Sequence, residues 1–274
     1  MGLLDRGLEI KDAEQVRLMR RAGLVVGETL QLLRDAVRPG LSTGELDALA
    51  EDAIRGAGAT PSFLGYHGFP GSICASVNDE VVHGIPGSRV LAEGDVISID
   101  CGAIVEGWHG DAALTVAVGG VPEQVGELIE VTRESMWRGI AAAHVGARIG
   151  DISHAVESYL RAQGPYGIVE DFTGHGIGSQ MHLPPNVPNV GRPGRGPRLR
   201  EGLALAVEPM VTLGTHECDV LDDDWTAVTA DGSWAAHWEH TFTLTPSGAW
   251  VLTALDGGEA DLTRLGVPFG PWAD

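Results

Sequence analysis

The feature that most restricts how this chain of 274 residues can fold is a fifteen-residue stretch that occurs twice. Residues 44–58, GELDALAEDAIRGAG, align without gaps on 150–164, GDISHAVESYLRAQG, with Gly44/Gly150, Glu51/Glu157, Arg55/Arg161 and Gly58/Gly164 identical. Four identities in fifteen could by themselves be two unrelated amphipathic helices. The context favours duplication. Residues 11–38 place Val16, Met19, Leu24, Val25, Leu30, Leu32 and Leu33 at roughly helical spacing ahead of the first copy, and the helix-like stretch 122–143 precedes the second. A unit of about 106 residues, the step from Gly44 to Gly150, used only twice predicts two halves of one pseudo-symmetric domain rather than a solenoid.

Local signals fill in the halves. Pro39-Gly40 ends the first helix, and Ser42 caps the next with Glu45 in capping-box position. Strand-like runs follow each helix pair. Residues 96–100 and 111–116 flank a turn around Val105-Glu106-Gly107; residues 203–207, stopped by Pro209, and 238–244 form a second set. Helices and strands come in blocks rather than strict alternation, which favours α+β over a doubly wound sheet. The expected organisation is a single domain over 1–274, with halves at about 11–118 and 122–252 and an irregular tail at 256–274.

Five residues of metal-ligand type lie in this frame: Asp100, Asp111, His175, Glu208 and Glu239. A hairpin turning between Val105 and Glu106 would set Asp100 opposite Asp111, and directly opposed carboxylates repel unless a cation sits between them. An Asp at the end of Val-Ile-Ser-Ile also needs a partner to justify its burial. His175 lies in Gly174-His175-Gly176, where glycines add no core but let a ligand and neighbouring backbone approach. Glu208 ends an apolar strand before Pro209, and Glu239 sits in Trp238-Glu239-His240-Thr241. Singly, each has a bland reading as a turn cap, a packed imidazole or an exposed strand end. Together they suit a pair of divalent metals, which can activate a water and clamp a hydrolytic transition state. His83, at a strand end entering a Gly/Pro turn, and His182, seven residues after His175, are two further candidate imidazoles; those at 67, 109, 144, 154, 216, 237 and 240 read as structural or solvated.

Composition narrows the classes. With 18 Lys+Arg against 38 Asp+Glu the formal charge is −20, which argues against general nucleic-acid binding. The one basic segment, Arg192, Arg195, Arg198 and Arg200, is interleaved with Gly and Pro and reads as a solvated loop. Three cysteines without CxxC spacing indicate a reducing, cytoplasmic setting. No apolar run reaches the ~18 residues of a membrane span. Asp5 and Arg6 come too early for a secretory leader, and Arg6 occupies the place where a myristoylation signal wants Ser or Thr.

The stretches SVNDEVVHGIP, IDCGAIVEGWHGD, GHGIG, VEPM and WEHT occur in the order and spacing found in type I methionine aminopeptidases, and from Lys11 to Leu252 the chain resembles that family. The resemblance implies the pita-bread fold, α+β with a curved antiparallel sheet covered by helices. It implies two divalent metal ions (Co, Mn, Fe or Zn). Asp100 would hold one, Asp111 and Glu239 would bridge, and His175 and Glu208 would hold the other, with Glu208 also the general base. His83 would contact the substrate amide and His182 the scissile carbonyl oxygen. Phe63, Tyr66, Phe69, Cys74, Met181 and Trp225 would line the methionine pocket. The expected partners are the N-terminal methionine of nascent polypeptides with a small second residue and, transiently, the ribosome; no membrane or specific nucleic acid is expected, and the protein should be a monomer. Val82, Phe63 and the segment 183–189 depart from the commoner family pattern, which bears on pocket shape. The rival readings are a proline dipeptidase or Xaa-Pro aminopeptidase, which usually carry a further N-terminal domain, and a pita-bread binding module without metals.

Overall fold

The first two helices begin where a side chain satisfies their first free N–H groups. The computed structural model describes residues 7–272. Residues 1–6, read above against a secretory leader and a lipid anchor, lie outside the described residues. In α1 (Ala13–Ala36) the Asp12 carboxylate accepts from the Gln15 N–H at 2.9 Å while the Gln15 side chain accepts from the Asp12 N–H at 3.0 Å. In α2 (Thr43–Gly56) Ser42 and Glu45 form the expected capping box. The second half repeats the pair as α3 (Glu123–Ala141) and α4 (Ile149–Gln163).

The repeated residues of α2 and α4 do the same work. Glu51 pairs with Arg55 at 2.7 Å and Glu157 with Arg161 at 2.8 Å, each one helical turn apart. The Gly44 N–H donates to the Gly87 carbonyl at 2.8 Å, and the Gly150 N–H to the Arg195 carbonyl at 2.9 Å. A Cβ at either glycine would press on a loop carbonyl, at 2.9 Å from Gly87 O and 2.2 Å from Arg192 O. Both helices are therefore seated by a passing loop, and the arginine segment forms the one over α4.

The strands, in chain order, are β1 (Thr60–Pro61), β2 (Ile73–Val77), β3 (Glu80–Val82), β4 (Val96–Val105), β5 (Trp108–Ala117), β6 (Gly167–Ile168), β7 (Gly174–Gly176), β8 (Leu183–Val187), β9 (Ala204–Val207), β10 (Met210–Thr212), β11 (Cys218–Val220), β12 (Ala227–Thr229), β13 (Ala235–His237), β14 (Glu239–Thr245) and β15 (Gly248–Val251). Nine of them make one antiparallel sheet in the order β1-β4-β5-β14-β9-β7-β8, with β2 also on β4 and β15 also on β14. The others form two three-stranded sheets, β13-β10-β6 and β11-β12-β3.

The β4–β5 hairpin corrects the expected register. Glu106 and Gly107 both take left-handed φ, 50° and 85°, as a two-residue type I′ turn requires. Asp100 therefore faces Ala113 and Asp111 faces Gly102, two residues away from the pairing inferred from the sequence. Side chains alternate with a period of two, so a slip of two leaves both carboxylates on one face, diagonal instead of opposed. The tail also differs from expectation. It contains α5 (Glu259–Arg264), started by Asp256 accepting from the N–H groups of Gly258 and Ala260, with Leu262 fully buried and Arg264 paired to Glu134 at 2.6 Å.

Each helix pair covers its own core. Val26, Leu30, Leu33, Leu46 and Ile54 pack on Ile73, Ile97 and Ile99, while Leu128, Met136, Ile140, Ile152 and Leu160 pack on Leu205 and Phe242. The start of α1 ties the halves together: Val16 and Met19 join Ile177, Ala204 and Leu252, and the Arg20 guanidinium donates to the carbonyls of Leu252 and Leu255 at 2.8 and 2.9 Å.

The halves meet where β5 pairs β14, Ala113 facing Glu239 and Ala112 facing His240. An axis through the Ala113/Glu239 pair carries β5 onto β14 by a step of 126 residues, which relates Asp111 to His237 and Thr115 to Thr241. Leu114 faces Ile99, and its mate His240 faces Val207, so β4 maps to β9 by a step of 108. Asp100 and Glu208, each one residue further on, are then equivalent.

Candidate metal centre

Register alone gathers most of the candidate ligands. Asp100, Ala113 and Glu239 form a row across β4, β5 and β14, and Asp111 lies on the same face two residues before Ala113. Glu208 follows directly on β9. Asn189, just after β8, donates its amide to the Glu208 carbonyl at 3.1 Å and anchors that end.

His175 is the middle residue of β7, and its two glycines are there because neighbouring backbone leaves no room. A Cβ at Gly174 would lie 2.3 Å from the Ala206 carbonyl oxygen, and one at Gly176 2.3 Å from that of Pro184. The imidazole Nδ1 meets the Gly176 carbonyl at 2.9 Å. A carbonyl only accepts, so Nδ1 carries the proton and Nε2 presents a lone pair, the arrangement of a metal-ligating histidine. Nε2 lies 3.5 Å from Glu208 Oε1 and 3.9 Å from Asp111 Oδ2. Ligand atoms of Asp111, His175 and Glu239 all fall within 4.8 Å of one another, with Asp100 beside Asp111 on the same sheet face at one end and Glu208 beside His175 at the other.

The acids of this cluster are set so that a cation would relieve them. Burial, and then the neighbouring carboxylates, hold Asp111, Glu208 and Glu239 well above the usual carboxylate range, and burial raises Asp100 to about 7. Burial pushes His175 down to about 3, so it is neutral and available as a ligand. Asp100 Oδ1, Asp111 Oδ1 and Glu239 Oε1 are buried without any hydrogen-bond partner. Unpartnered buried oxygens converging with an imidazole lone pair fit a divalent cation, which would satisfy them and lower their mutual repulsion.

One cavity of about 180 Å³ joins the five ligands to His83, His182 and all six expected pocket residues: Phe63, Tyr66, Phe69, Cys74, Met181 and Trp225. Phe63, Phe69, Cys74 and Met181 pack together with Tyr66 and Trp225 against them. His182 lies in the turn between β7 and β8, where strand parity does not apply, and its ring comes within 4.4 Å of the His175 ring, centroid to centroid. Its Nδ1 is 2.8 Å from the Tyr66 hydroxyl. His83, just past β3, has φ 61°, a backbone state costly for a non-glycine residue, and its ring meets Phe172 edge-on at 5.3 Å. Burial lowers it to about 4.

The cavity also holds His237, whose sequence context suggests only a structural or solvated histidine. It is buried, its Nε2 has no partner and lies 3.9 Å from Glu208 Oε2, and burial lowers it to about 3. The signal that finds it is the step of 126 from Asp111.

The model of metallopeptidase family M24 matches residues 17–246. The chain belongs to this family, among its methionine aminopeptidases. It is 55% identical over 249 residues to methionine aminopeptidase 1 of Mycobacterium tuberculosis, covering 89% of this chain and 94% of that protein. It is 53% identical over 245 residues to the methionine aminopeptidase of Clostridium acetobutylicum, covering 89% and 98%. The crystal structure of the Thermotoga maritima methionine aminopeptidase superimposes with a TM-score of 0.88 at 40% identity, over 90% of this chain and 99% of that one. The fold is the pita-bread fold of these enzymes. The Xaa-Pro dipeptidase from Bacillus anthracis shares that fold with a TM-score of 0.72 at 23% identity, over 89% of this chain and 61% of the dipeptidase. Membership of an M24 metallopeptidase family accords with the unpartnered carboxylate oxygens: the protein uses divalent metal. No helix among the described residues is long and apolar enough to cross a membrane.

Proposed function

We propose that the protein is a methionine aminopeptidase that hydrolyses the first peptide bond of chains beginning with methionine and a small second residue, using two divalent metal ions. The observation that carries this reading is the shared cavity: partnerless buried carboxylate oxygens on one wall and an apolar, sulfur-containing lining on the other. Relatives at 50–55% identity that bear the methionine aminopeptidase name support it.

In this reading Asp100, Asp111, His175, Glu208 and Glu239 would hold the metals. Bound metals of this kind supply Lewis-acid polarisation and a water of lowered pKa. The protein's own groups do the rest. The Glu208 carboxylate, made more basic by its burial, takes a proton from the attacking water and returns it to the leaving amine. His182, with Nδ1 engaged by Tyr66, turns Nε2 toward the carbonyl oxygen as charge develops there. His83 contacts the peptide amide. Phe63, Tyr66, Phe69, Cys74, Met181 and Trp225 receive the methionine side chain, whose polarizable thioether suits aromatic and sulfur neighbours. Substrates of this type arise on nascent chains at the ribosome, in the cytoplasm.

A mixed Asp/Glu/His set accepts Mn, Fe, Co or Zn, so the decisive assay measures methionine release from a Met-Gly peptide across those four metals. Glu208→Gln and an Ala-Pro peptide serve as controls. Release from Met-Gly, lost in the variant, is expected. Cleavage of Ala-Pro in preference to Met-Gly, or wild-type turnover by Glu208→Gln, would sink the reading.

A further inference from the structure

The ladder between β5 and β14 is only two residue pairs long, and the positions just beyond it are bridged by hydroxyls. At one end the Thr241 hydroxyl donates to the Asp111 carbonyl at 2.8 Å and accepts from the Asp111 N–H at 3.3 Å. At the other, the Thr115 hydroxyl donates to the His237 carbonyl at 2.7 Å and accepts from the His237 N–H at 2.9 Å. Thr115 and Thr241 are mates under the step of 126, so the two bridges are one device copied by the duplication. Each hydroxyl takes the place of a backbone N–H and C=O pair that the strands, at that point, do not offer each other.

The bridge at Thr241 has a consequence its mate lacks. It fixes the main chain of Asp111 to β14, the strand that carries Glu239, and Asp111 and Glu239 are two of the three residues whose ligand atoms converge. Thr241 is itself fully buried, and its own N–H is held by the Thr253 hydroxyl at 3.1 Å, so the bridge is anchored from behind.

We propose that Thr241 is a positioning residue for the divalent-metal site, setting the distance between the Asp111 and Glu239 carboxylates through the Asp111 backbone. This rests on the metal-dependent reading above. Without the hydroxyl, the Asp111 backbone loses both of these hydrogen bonds to β14, and the two carboxylates lose their fixed separation. Residues that hold a ligand in place are commonly worth about 10- to 100-fold in metal affinity.

The test is the Mn²⁺ dissociation constant of the full chain, by calorimetric titration, for the wild type and for Thr241→Val, Thr241→Ser and Thr243→Val. Thr243 lies two residues further along β14, and its hydroxyl donates to the Leu203 carbonyl at 3.1 Å, away from the ligands. Thr241→Val should weaken Mn²⁺ binding at least about 10-fold, with Thr241→Ser restoring it. Thr243→Val should lower the melting temperature and leave the affinity unchanged. Thr241→Ala carries the same expectation as the valine variant if that variant does not fold. Wild-type affinity in Thr241→Val or Thr241→Ala, or an equal loss in Thr243→Val, overturns the proposal. A wild-type protein that binds no Mn²⁺, Co²⁺, Fe²⁺ or Zn²⁺ overturns the metal-dependent reading instead.

Discussion

Across the axis the two halves place different side chains at equivalent points. Where the first half has Asp100 the second has Glu208; where the first has Asp111 the second has His237; where the first has Ala113 the second has Glu239. The helices, their Glu-Arg pairs and the threonine bridges are alike in both. Duplication thus supplied a frame whose axis passes through the site, so both copies face a single cavity. Had every mate been an acid, six carboxylates would share that cavity. Ala113 and His237 cut the number to four, close to what two divalent ions balance, and the methyl of Ala113 leaves room between Asp100 and Glu239.

The sharpest way to break the comparison is at its most symmetric pair. Asp100 and Glu208 are equivalent in the frame, yet only Glu208 lies beside an imidazole lone pair, at 3.5 Å. Asp100→Asn should mainly weaken metal binding, so that kcat for Met-Gly recovers at saturating Mn²⁺. Glu208→Gln should not recover, because the proton relay is lost, a deficit of about 10²–10⁴ in kcat. Metal titrations of kcat in the two variants decide it. If both recover alike, the halves are interchangeable and Glu208 is a ligand only.

What could be read from the sequence followed from how local each signal is. The Ser42/Glu45 box and the glycines around His175 answer to contacts within a few residues or to a steric demand that leaves only glycine, and both were visible. The hairpin register differs from expectation because its turn puts a glutamate, Glu106, in a left-handed conformation that Asn, Asp or Gly usually fills. Segment 183–189 departs from the commoner family pattern, and its residues 183–187 form β8. Pro184 and Pro185 are tolerated because β8 is the edge of the sheet. His237 was hidden for a different reason. Its neighbours look like any short strand, and its equivalence to Asp111 exists only in the strand register, at a step of 126, whereas the detectable repeat in the helices runs at 106.

Proton linkage sharpens the comparison at a smaller scale. The folded, metal-free protein holds Asp100 at about 7 and raises Asp111, Glu208 and Glu239 as well, through burial first. A carboxyl raised above its unfolded value contributes stability at low pH that is lost as pH climbs through the folded pKa. The buried histidines act oppositely: His83 at about 4, His175 at about 3 and His237 at about 3 favour folding as pH rises, but only up to the unfolded value near 6.5. Between about pH 6.5 and 8 the carboxyls act alone, so the melting temperature of chelator-treated protein should fall as pH rises. Saturating Mn²⁺ should abolish the fall by replacing protons with a cation. Asp100→Asn and Glu208→Gln should each flatten part of the slope and so apportion it between the halves. A rising melting temperature across this window in the chelated wild type would contradict the assignment.

The smallest effect contrasts the helices that cover each half. Gly23 in α1 and Gly139 in α3 are both interior helix positions, where alanine is worth roughly 1 kcal/mol over glycine when space allows. Space differs. A Cβ at Gly23 would lie 2.1 Å from the Leu252 carbonyl oxygen and 2.6 Å from its carbon, and backbone held by Arg20 and by the Thr241 carbonyl cannot withdraw. At Gly139 the nearest atom is Val156 Cγ2 at 2.7 Å, followed by Val207 Cγ1 at 3.3 Å, and both are ends of side chains. Overpacking costs typically about 1–3 kcal/mol, so Gly23→Ala should be clearly destabilising despite its better helix propensity. Gly139→Ala should fall within about 1 kcal/mol of the wild type, the propensity gain offsetting a small shift of valine. Urea unfolding of both variants measures this. Equal losses would mean that α3 is as tightly seated as α1, and that α1 has no special part in joining the halves.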